Sequence, residues 1–363
     1  MEKSKKKIKF PSELRFDLVS KHWVIIATGR GKRPEAYKED KKREKGISRE
    51  SCPFYKIENQ EKPVLVYSDG QMVDFRSKKD LDAKQAWALV PADWSVAVFP
   101  NKYPALLPYP TLDKKIQGKL YQKMNAVGFC ELVISKDHYR HFPQFSKSEI
   151  KEVLDIYHSR YKTLMKKNFV NYISIFHNHG REAGASQPHP HSQIITTPLI
   201  DIDLRTALSN SEVYFKEHNK CIYCQLNAWE RKVKERIVFE NKHFIAVCPF
   251  ASKAAFEVII SPKEHSPYFE KVTDEEKLSL AEAFGMVFRA LHKGLSNPAY
   301  NFYLHTSPCD KKEYPHYHWH WTILPKTSTP AGFEMGTRME ISTIEPEKAA
   351  SYLRKQLRDI KKI

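Results

Sequence analysis

The residues best suited to chemistry lie in the segment Gln187-Pro188-His189-Pro190-His191-Ser192-Gln193. Alternate residues of a β-strand point to the same face, so we expect His189, His191 and Gln193 to line up on one side of a strand. Two imidazoles and an amide on a single face make an unusual core surface. The segment therefore indicates a functional site, and three interpretations of it compete.

The first interpretation is structural, with both histidines hydrogen-bonded on a half-buried strand. The second is a metal site, because neutral imidazole is a common metal ligand. In the third, one imidazole is a nucleophile whose lone pair attacks an α-phosphorus and forms a phosphoramidate. Gln193 would then hydrogen-bond the phosphoryl oxygens in the transition state. The preceding loop, residues 177–186, contains two glycines and can bring backbone amides and Asn178 close to a phosphate.

A second group of residues has metal-ligand spacing. Cys221-Ile222-Tyr223-Cys224 has the spacing of a zinc knuckle. His265 and one histidine of the group His316, His318 and His320 are available to complete the donor set. Two cysteines and two histidines predict a closed tetrahedral zinc site, and the alternative is a pair of buried, reduced cysteines.

An internal repeat indicates how these residues are positioned. Four features occur twice in the same order: a Val-Phe-x-Asn-Lys run, an apolar strand followed by a histidine, a long amphipathic helix, and a strand that precedes a histidine-rich strand. They occupy 98–102, 129–138, 146–167 and 172–198 in the first half, and 238–242, 256–265, 273–295 and 300–325 in the second.

This order predicts an α+β fold of two homologous domains, 1–198 and 199–363, each with an antiparallel sheet and a long helix. The Thr273-Asp274-Glu275-Glu276 sequence predicts a capping box at the start of the second helix. Residues 199–220 form a polar, partly helical connector. Apolar residues at near-helical spacing predict a C-terminal helix over 345–361.

Length and composition limit the classes of protein to which this chain can belong. The chain has 363 residues, 41% of them hydrophobic, which is enough for two globular domains. It contains no run of about 18 apolar residues, and no apolar stretch of signal-peptide type follows its basic N-terminus. We therefore expect a cytoplasmic protein without a membrane span. Six scattered cysteines do not form the pattern of a disulfide framework.

The formal net charge is +17. Much of it lies in lysine-rich runs at 3–9, 38–45 and 354–362, which are typical of solvated surface. A basic chain can also bind nucleic acid or attract phosphorylated small molecules. A zinc-containing nucleic-acid-binding protein is thus an alternative. Because the basic residues form no aromatic-interleaved face, we do not expect nucleic acid as a partner.

The segment from Gly184 to Gln193 resembles the active-site motif of the galactose-1-phosphate uridylyltransferase family, within the histidine-triad superfamily. The likeness extends along nearly the whole chain. Residues 22–34 resemble the family's opening strand and paired arginines, 98–105 its nucleoside-contact strand, and 332–337 its C-terminal substrate loop. The resemblance implies two tandem histidine-triad-like domains and a homodimer.

The resemblance also implies a ping-pong reaction. His191 would attack the α-phosphorus of a nucleoside diphosphate sugar and release a sugar 1-phosphate. A second acceptor, a sugar 1-phosphate or phosphate, would then take the nucleoside monophosphate. By the same resemblance, the substrate contacts are Gln193 and Ser186 for the transferred phosphoryl group, Asn101 and Asn178 for the nucleotide, and Arg30 and Arg33 for phosphate. A guanidinium fork matches phosphate oxygens, although either arginine on its own would be interpreted as surface charge.

The first half departs from the family's metal pattern. Family members carry a Cys-x-x-Cys pair, then a histidine, then the first histidine of the His-Pro-His motif. Here Cys52-Pro53-Phe54-Tyr55 keeps one cysteine, while His138 and His189 fill the other positions. Two outcomes are open: these three residues hold zinc together with water or a tyrosinate, or they pack without metal. In both cases His189 positions the strand and is not the nucleophile.

The family contains enzymes that move UMP and enzymes that move AMP. Uridylyltransferases usually carry an acidic residue where this chain has Lys102. Residues 101–104 and 332–337 and the Cys-x-x-Cys pair resemble the ADP-glucose phosphorylase branch, and that resemblance favours His318 as the fourth zinc ligand. Residues 338–340 depart from the Gly-x-Tyr type sequence of that branch, so the nucleotide and the acceptor stay open. Phosphorolysis or hydrolysis of dinucleoside polyphosphates is a further enzymatic alternative.

Overall fold

The computed structural model describes residues 12–30 and 48–360, which form sixteen strands and seven α-helices. The strands are β1 (Ser12–Phe16), β2 (Trp23–Ala27), β3 (Leu65–Ser68), β4 (Gln71–Asp74), β5 (Val96–Pro100), β6 (Lys115–Gln117), β7 (Tyr121–Lys123), β8 (Cys130–Ser135), β9 (Tyr172–His179), β10 (His191–Thr197), β11 (Ile237–Glu240), β12 (Phe244–Val247), β13 (Val258–Pro262), β14 (Tyr300–His305), β15 (His320–Pro325) and β16 (Ile341–Ser342). The helices are α1 (Ala83–Ala88), α2 (Lys147–Leu164), α3 (Ile202–His218), α4 (Ile222–Val233), α5 (Asp274–Leu295), α6 (Gly332–Thr337) and α7 (Pro346–Ile360).

Eleven of the described strands form one antiparallel sheet that runs through both halves of the chain. Its order is β11-β12-β13-β15-β14-β9-β10-β8-β5-β3-β4. The halves join where β9 pairs with β14, with Phe302 opposite His177 and Asn301 opposite Asn178. Residues directly opposite each other lie on the same face, so each face of the sheet is continuous from one half of the chain to the other.

Helices α2 and α5 cover one face of the sheet. Ile194 of β10 and Phe302 of β14 point into the core beneath them, and both are fully buried. The two helices are also joined by a buried ion pair, in which the Lys277 ammonium lies 2.6 Å from the Asp155 carboxylate. The long helix of each half therefore packs on the same side of the sheet.

The opposite face is covered unevenly. Near β5 and β8 it is closed by a second apolar cluster that includes Cys52, Phe54 and Trp87. Strands β1, β2 and β16 form a separate small sheet, in which β16 runs parallel to β2. Most residues of β9 and β10 that point to this face are half-buried, so the face is partly open there.

The α+β class and the duplicated arrangement of sheet and helix are confirmed. The capping box predicted at Thr273 is present at the start of α5, and α2 begins with another at Ser146. The connector is helical over most of its length as α3, and α7 lies where the C-terminal helix was predicted. No helix among the described residues is long and apolar enough to span a bilayer.

The expectation that His189 lies in the strand with His191 was wrong. The ladder begins at His191, which pairs with Ile134 of β8. Pro188 and Pro190 have no backbone N–H to donate, so the ladder cannot extend through them. His189 therefore lies in the turn before the strand. The division of the chain at residue 198 stays a prediction.

Candidate active site and metal-ligand clusters

The ring of His191, the first residue of β10, is oriented by the backbone of His189. The ring Nδ1 lies 2.9 Å from the carbonyl oxygen of His189. A carbonyl can only accept, so Nδ1 carries the proton and the lone pair is on Nε2. Burial lowers the pKa of His191 below its ordinary value, and the hydrogen bond to His189 opposes this only in part. The imidazole is thus neutral near pH 7, with one nitrogen available as a nucleophile.

A buried hydrogen-bond network holds β10 on the side of the sheet that faces the helices. Ser192 points away from the open face, where its Oγ receives a hydrogen bond from the Tyr157 hydroxyl of α2. The same Oγ lies 2.9 Å from Nδ1 of His177 in β9. All three side chains are buried, and burial raises the pKa of Tyr157 well above its ordinary value. Tyr157 and His177 were missed by sequence reasoning, because nothing in their spacing points to Ser192.

Two of the predicted substrate contacts share the open face with His191. Gln193 lies two residues along β10, opposite Leu132 and Phe176. Asn178 follows His177, whose partner is Ser192, so the ladder places Asn178 beside His191. The amide Nδ2 of Asn301 donates to Oδ1 of Asn178 over 2.7 Å. Asn301 comes from the second half and was also missed; its hydrogen bond leaves the Asn178 amide group as the donor toward the open face.

The remaining predicted contacts lie on flanking segments. Ser186 is exposed in the turn that leads to β10. Asn101 follows β5, and its Oδ1 accepts a hydrogen bond of 3.0 Å from the Tyr103 backbone. Arg30 ends a short 3-10 helix at Thr28–Arg30. Arg33 lies outside the described residues.

The second half brings four predicted metal ligands together. One ligand atom from each of Cys221, Cys224, His265 and His318 lies within 4.8 Å of all the others. The Cys224 sulfur is 3.4 Å from Nδ1 of His265 and 3.5 Å from Nδ1 of His318. Both histidines donate from Nε2 to backbone carbonyls, those of Pro315 and Pro262.

These carbonyl bonds hold both Nδ1 lone pairs toward the thiols, the usual arrangement around a metal. Hydrogen bonds from Cys224 and His265 hold the pKa of Cys221 well below its ordinary value. A thiolate at this position is what zinc binding requires. The donor set of two sulfurs and two nitrogens fits tetrahedral zinc.

The structure distinguishes the three candidate histidines of the second half. His318 belongs to the cluster, whereas His316 packs near Tyr314. His320 occupies the position that His191 has in the first half, with Nδ1 3.1 Å from the carbonyl of His318. Its ring is stacked on His305 at 4.7 Å and is covered by Tyr223 at 5.4 Å. The second imidazole is therefore enclosed by aromatic rings.

The first half brings three predicted ligands together. Cys52, His138 and His189 are all buried and offer one donor atom each within 4.8 Å of the others. Nδ1 of His189 lies 3.0 Å from Nδ1 of His138 and 3.7 Å from the sulfur of Cys52. Burial lowers the pKa of His189 to about 4, while its hydrogen bond to the Ser135 carbonyl opposes the shift.

Comparison with known proteins gives matches along most of the chain. Residues 84–200 match the family description "Galactose-1-phosphate uridyl transferase, N-terminal domain", and residues 207–362 match the C-terminal domain of the same family. The chain is 32% identical over 347 residues to ADP-glucose phosphorylase of Arabidopsis thaliana, covering 94% of this chain and 92% of that protein. It is 30% identical over 275 residues to galactose-1-phosphate uridylyltransferase of Thermotoga maritima, covering 73% and 86%.

The fold is also similar to solved structures. The crystal structure of an Arabidopsis thaliana ADP-glucose phosphorylase with bound ADP-glucose superimposes with a TM-score of 0.74 at 30% identity, covering 94% of this chain and 98% of that one. A uridylyltransferase structure gives a TM-score of 0.68 at 28% identity, covering 74% and 87%.

Proposed function

Because the chain belongs to the galactose-1-phosphate uridylyltransferase family and is a nucleotidyltransferase, we propose that His191 is the residue that carries the transferred nucleotide. The observation that supports this role is the bond from Nδ1 of His191 to the His189 carbonyl. It leaves a neutral, buried imidazole with its Nε2 lone pair on the partly open face. His320 has the same backbone bond, but its ring is stacked on His305, and Thr322 stands where β10 has Gln193, so we place the nucleophile in the first half.

The reaction has two balanced steps. In the first, Nε2 of His191 forms a bond to the α-phosphorus of a nucleoside diphosphate sugar. The bond from that phosphorus to the bridging oxygen breaks, and the electron pair leaves with the sugar 1-phosphate. In the second, an oxygen of the acceptor phosphate attacks the same phosphorus, and the P–N electron pair returns to Nε2. The His189 carbonyl stabilises the positive charge that the ring gains between the two steps.

The neighbouring polar groups suit the charge that develops on phosphorus. Gln193 is on the same face as His191, and its amide can donate to a non-bridging oxygen. Asn178, held by Asn301, offers a second donor beside the nucleophile. We assign Ser186 to the phosphoryl group and Asn101 to the nucleotide. Arg30 and Arg33 are proposed to contact phosphate.

For the substrate, we propose ADP-glucose as donor and phosphate as acceptor. The support is the likeness to an ADP-glucose phosphorylase over nearly the full length of both chains, together with Lys102 in place of an acidic residue. Transfer of UMP to a sugar 1-phosphate is the second candidate, favoured by the likeness to the uridylyltransferase of Thermotoga maritima.

We propose zinc in the four-residue cluster of Cys221, Cys224, His265 and His318. The ion would fix the start of α4 to the ends of two strands and take no part in the transfer. Metal analysis of purified protein tests this assignment. Cys224→Ser should lose one zinc per chain, whereas Cys309→Ser, a half-buried cysteine outside both clusters, should lose none.

We also propose that the protein is a cytoplasmic homodimer. Three largely exposed apolar residues of the β6–β7 hairpin, Ile116, Leu120 and Tyr121, support a homodimer. Light scattering of the purified protein measures this directly, and a monomer would contradict it. Six unpaired cysteines support a reducing, cytoplasmic location. We also propose two domains that meet near residue 198, supported by the change between family matches at 200–207.

The nucleophile is tested by trapping the covalent intermediate. The protein is incubated separately with ADP-glucose, UDP-glucose and diadenosine tetraphosphate without acceptor, then quenched in alkali because phosphoramidates are acid-labile. Intact mass should rise by one AMP with ADP-glucose, and phosphate should discharge it. His191→Gly should abolish labelling, while the matched variant His320→Gly should retain it. Labelling that survives in His191→Gly, or no labelling of the wild type by any donor, refutes the proposal.

A further inference from the structure

The face of the sheet that carries His191 continues across the junction between the two halves. Asn178 of β9 lies beside His191 on this face, and β9 pairs with β14 so that Asn301 lies opposite Asn178. Residues opposite each other in a sheet lie on the same face, so these three side chains form a row across three neighbouring strands. The last member of the row belongs to the second half of the chain.

The side chain of Asn301 makes two hydrogen bonds from one nitrogen. Its Nδ2 donates to the backbone carbonyl of Ala183 over 2.8 Å and to Oδ1 of Asn178 over 2.7 Å. A backbone carbonyl can only accept a hydrogen bond, so the Ala183 contact identifies the nitrogen of the Asn301 amide. The Asn178 atom that meets this nitrogen must then be the oxygen. The NH₂ group of Asn178 is thereby turned away from Asn301, toward the open face beside His191.

Asn301 also holds the turn that follows β9. The Gly180 carbonyl accepts backbone hydrogen bonds from Ala183 and Ala185, each of 3.1 Å, so the chain forms a compact turn here. The turn meets β14 at the Ala183 carbonyl, where Asn301 donates, and lies close to Ala299 just before that strand, because a Cβ added at Gly180 would be 2.8 Å from the Ala299 Cβ. The second half therefore supports both Asn178 and the turn that leads toward β10.

The equivalent position in the second half is built differently. There the residue opposite His320 is His305, and the two rings are stacked at 4.7 Å. Within the part of the chain that the structure describes, the pair of amides thus lies beside His191 and not beside His320. The repeated fold does not require an asparagine at this position, which associates the pair with the chemistry of the first half.

We propose that Asn301 is a positioning residue for nucleotidyl transfer, supplied by the second half to the site in the first. It fixes the Asn178 amide with its NH₂ group toward the phosphoryl oxygens, and it holds the turn after β9. A donor that is oriented before the substrate binds stabilises the charge developing on phosphorus without reorganising during the reaction. The inference rests on the proposed function, because it requires that transfer take place at His191.

Two substitutions at Asn301 distinguish this role from simple packing. Asn301→Asp keeps the shape but offers only acceptors, so Asn178 must turn its NH₂ group toward the new carboxylate and its oxygen toward the phosphoryl group. We expect the labelling rate at saturating ADP-glucose to fall about 100-fold, as is typical when one transition-state donor is lost. Asn301→Ala lets Asn178 adopt either orientation, so the fall should be about 2–10-fold. A packing role predicts the opposite order, because alanine removes more of the side chain.

Two further measurements test how the effect reaches the site. In an Asn178→Ala background, Asn301→Asp should change the labelling rate by less than about twofold, because the amide that it would turn is gone. Hydrogen exchange of residues 180–186, followed by mass spectrometry, should become faster in Asn301→Ala, because the Ala183 carbonyl loses its donor. This second measurement does not depend on catalysis.

The matched control is Asn241→Ala. Asn241 also lies in the second half and also donates twice from Nδ2, over 2.8 Å to the Ser279 carbonyl and over 3.0 Å to the Glu282 carboxylate. Its removal should leave the labelling rate and the exchange of residues 180–186 unchanged. Circular dichroism verifies that each variant is folded.

Several results would overturn the proposal. These are a wild-type labelling rate in Asn301→Asp or Asn301→Ala, a larger loss for alanine than for aspartate, an undiminished effect of Asn301→Asp in the Asn178→Ala background, and unchanged hydrogen exchange in Asn301→Ala. In each case a labelled wild type leaves the proposed function standing, so the two failures are distinguishable. A wild type that no donor labels refutes the proposed function and this inference with it.

Discussion

The buried ion pair between Arg160 of α2 and Glu131 of β8 yields the sharpest stability prediction. Two hydrogen bonds, of 2.8 and 2.6 Å, join the guanidinium to the two carboxylate oxygens, and each side chain is 4% exposed. Hydrogen bonds to charged groups contribute about 1.5–3 kcal/mol each, and removing one partner of a buried pair costs about 3–5 kcal/mol. We therefore expect Arg160→Met to lower the free energy of unfolding by about 3–5 kcal/mol.

Most of that loss should come from the carboxylate left without its partner. The double variant Glu131→Leu/Arg160→Met should therefore recover most of the stability, which gives a coupling energy of about 3 kcal/mol in the double-mutant cycle. The assay is urea unfolding followed by tryptophan fluorescence and circular dichroism.

The control is Arg231→Met, which breaks the exposed pair with Glu240, where side-chain exposures are 51% and 31%. That change should cost at most about 1 kcal/mol and depend on salt. A loss below about 1 kcal/mol for Arg160→Met, or a double variant no more stable than it, would refute the reasoning.

Three further predictions concern the strand of the proposed nucleophile, His191, and two other buried histidines. Because burial lowers the pKa of His191 below 6.5, the labelling rate should be constant from about pH 8 to 6.5 and fall only at lower pH; a decline centred above 6.5 would contradict this. His179 and His320 have pKa values lowered by burial to about 4 from 6.5, so the unfolded state takes up protons first as the pH falls. Each should therefore contribute stability that is complete above pH 6.5 and is lost toward pH 4, on the order of 3 kcal/mol, measurable by urea unfolding across that range. Ser192→Ala leaves a buried hydroxyl and a buried imidazole without their shared partner and should cost about 1–3 kcal/mol in the same assay; a loss below about 0.5 kcal/mol would contradict it.

Many features of this protein could be predicted from the sequence because they depend on residues close together in the chain. A capping box needs residues three apart, which is why the start of α5 at Thr273 was predictable. The repeat predicted an antiparallel sheet with a long helix in each half, although not that the pairing of β9 with β14 joins the two into one sheet. The Cys-x-x-Cys pair predicted a metal site. The chemistry of the His-Pro-His-x-Gln segment follows from the residue types, because few other side chains offer a neutral nucleophile near pH 7.

Other features were decided only by the tertiary structure, because they depend on the register between strands far apart in sequence. Residue spacing alone left His316, His318 and His320 open, and only the family resemblance favoured His318 before the structure showed which ring meets Cys221 and Cys224. The sequence placed Asn178 near the active site, but its partner Asn301, 123 residues away, appears only when β9 pairs with β14.

The position of the proton on His191 likewise depends on the turn at His189. The prolines on both sides of His189 keep this turn out of the strand pairing, and the His189 carbonyl accepts the hydrogen bond from Nδ1 of His191. Residue types thus determined which reactions the chain can perform. Backbone carbonyls and strand register, which no side-chain pattern encodes, decided which nitrogen of His191 keeps its lone pair and which histidine of the second half meets the cysteine pair.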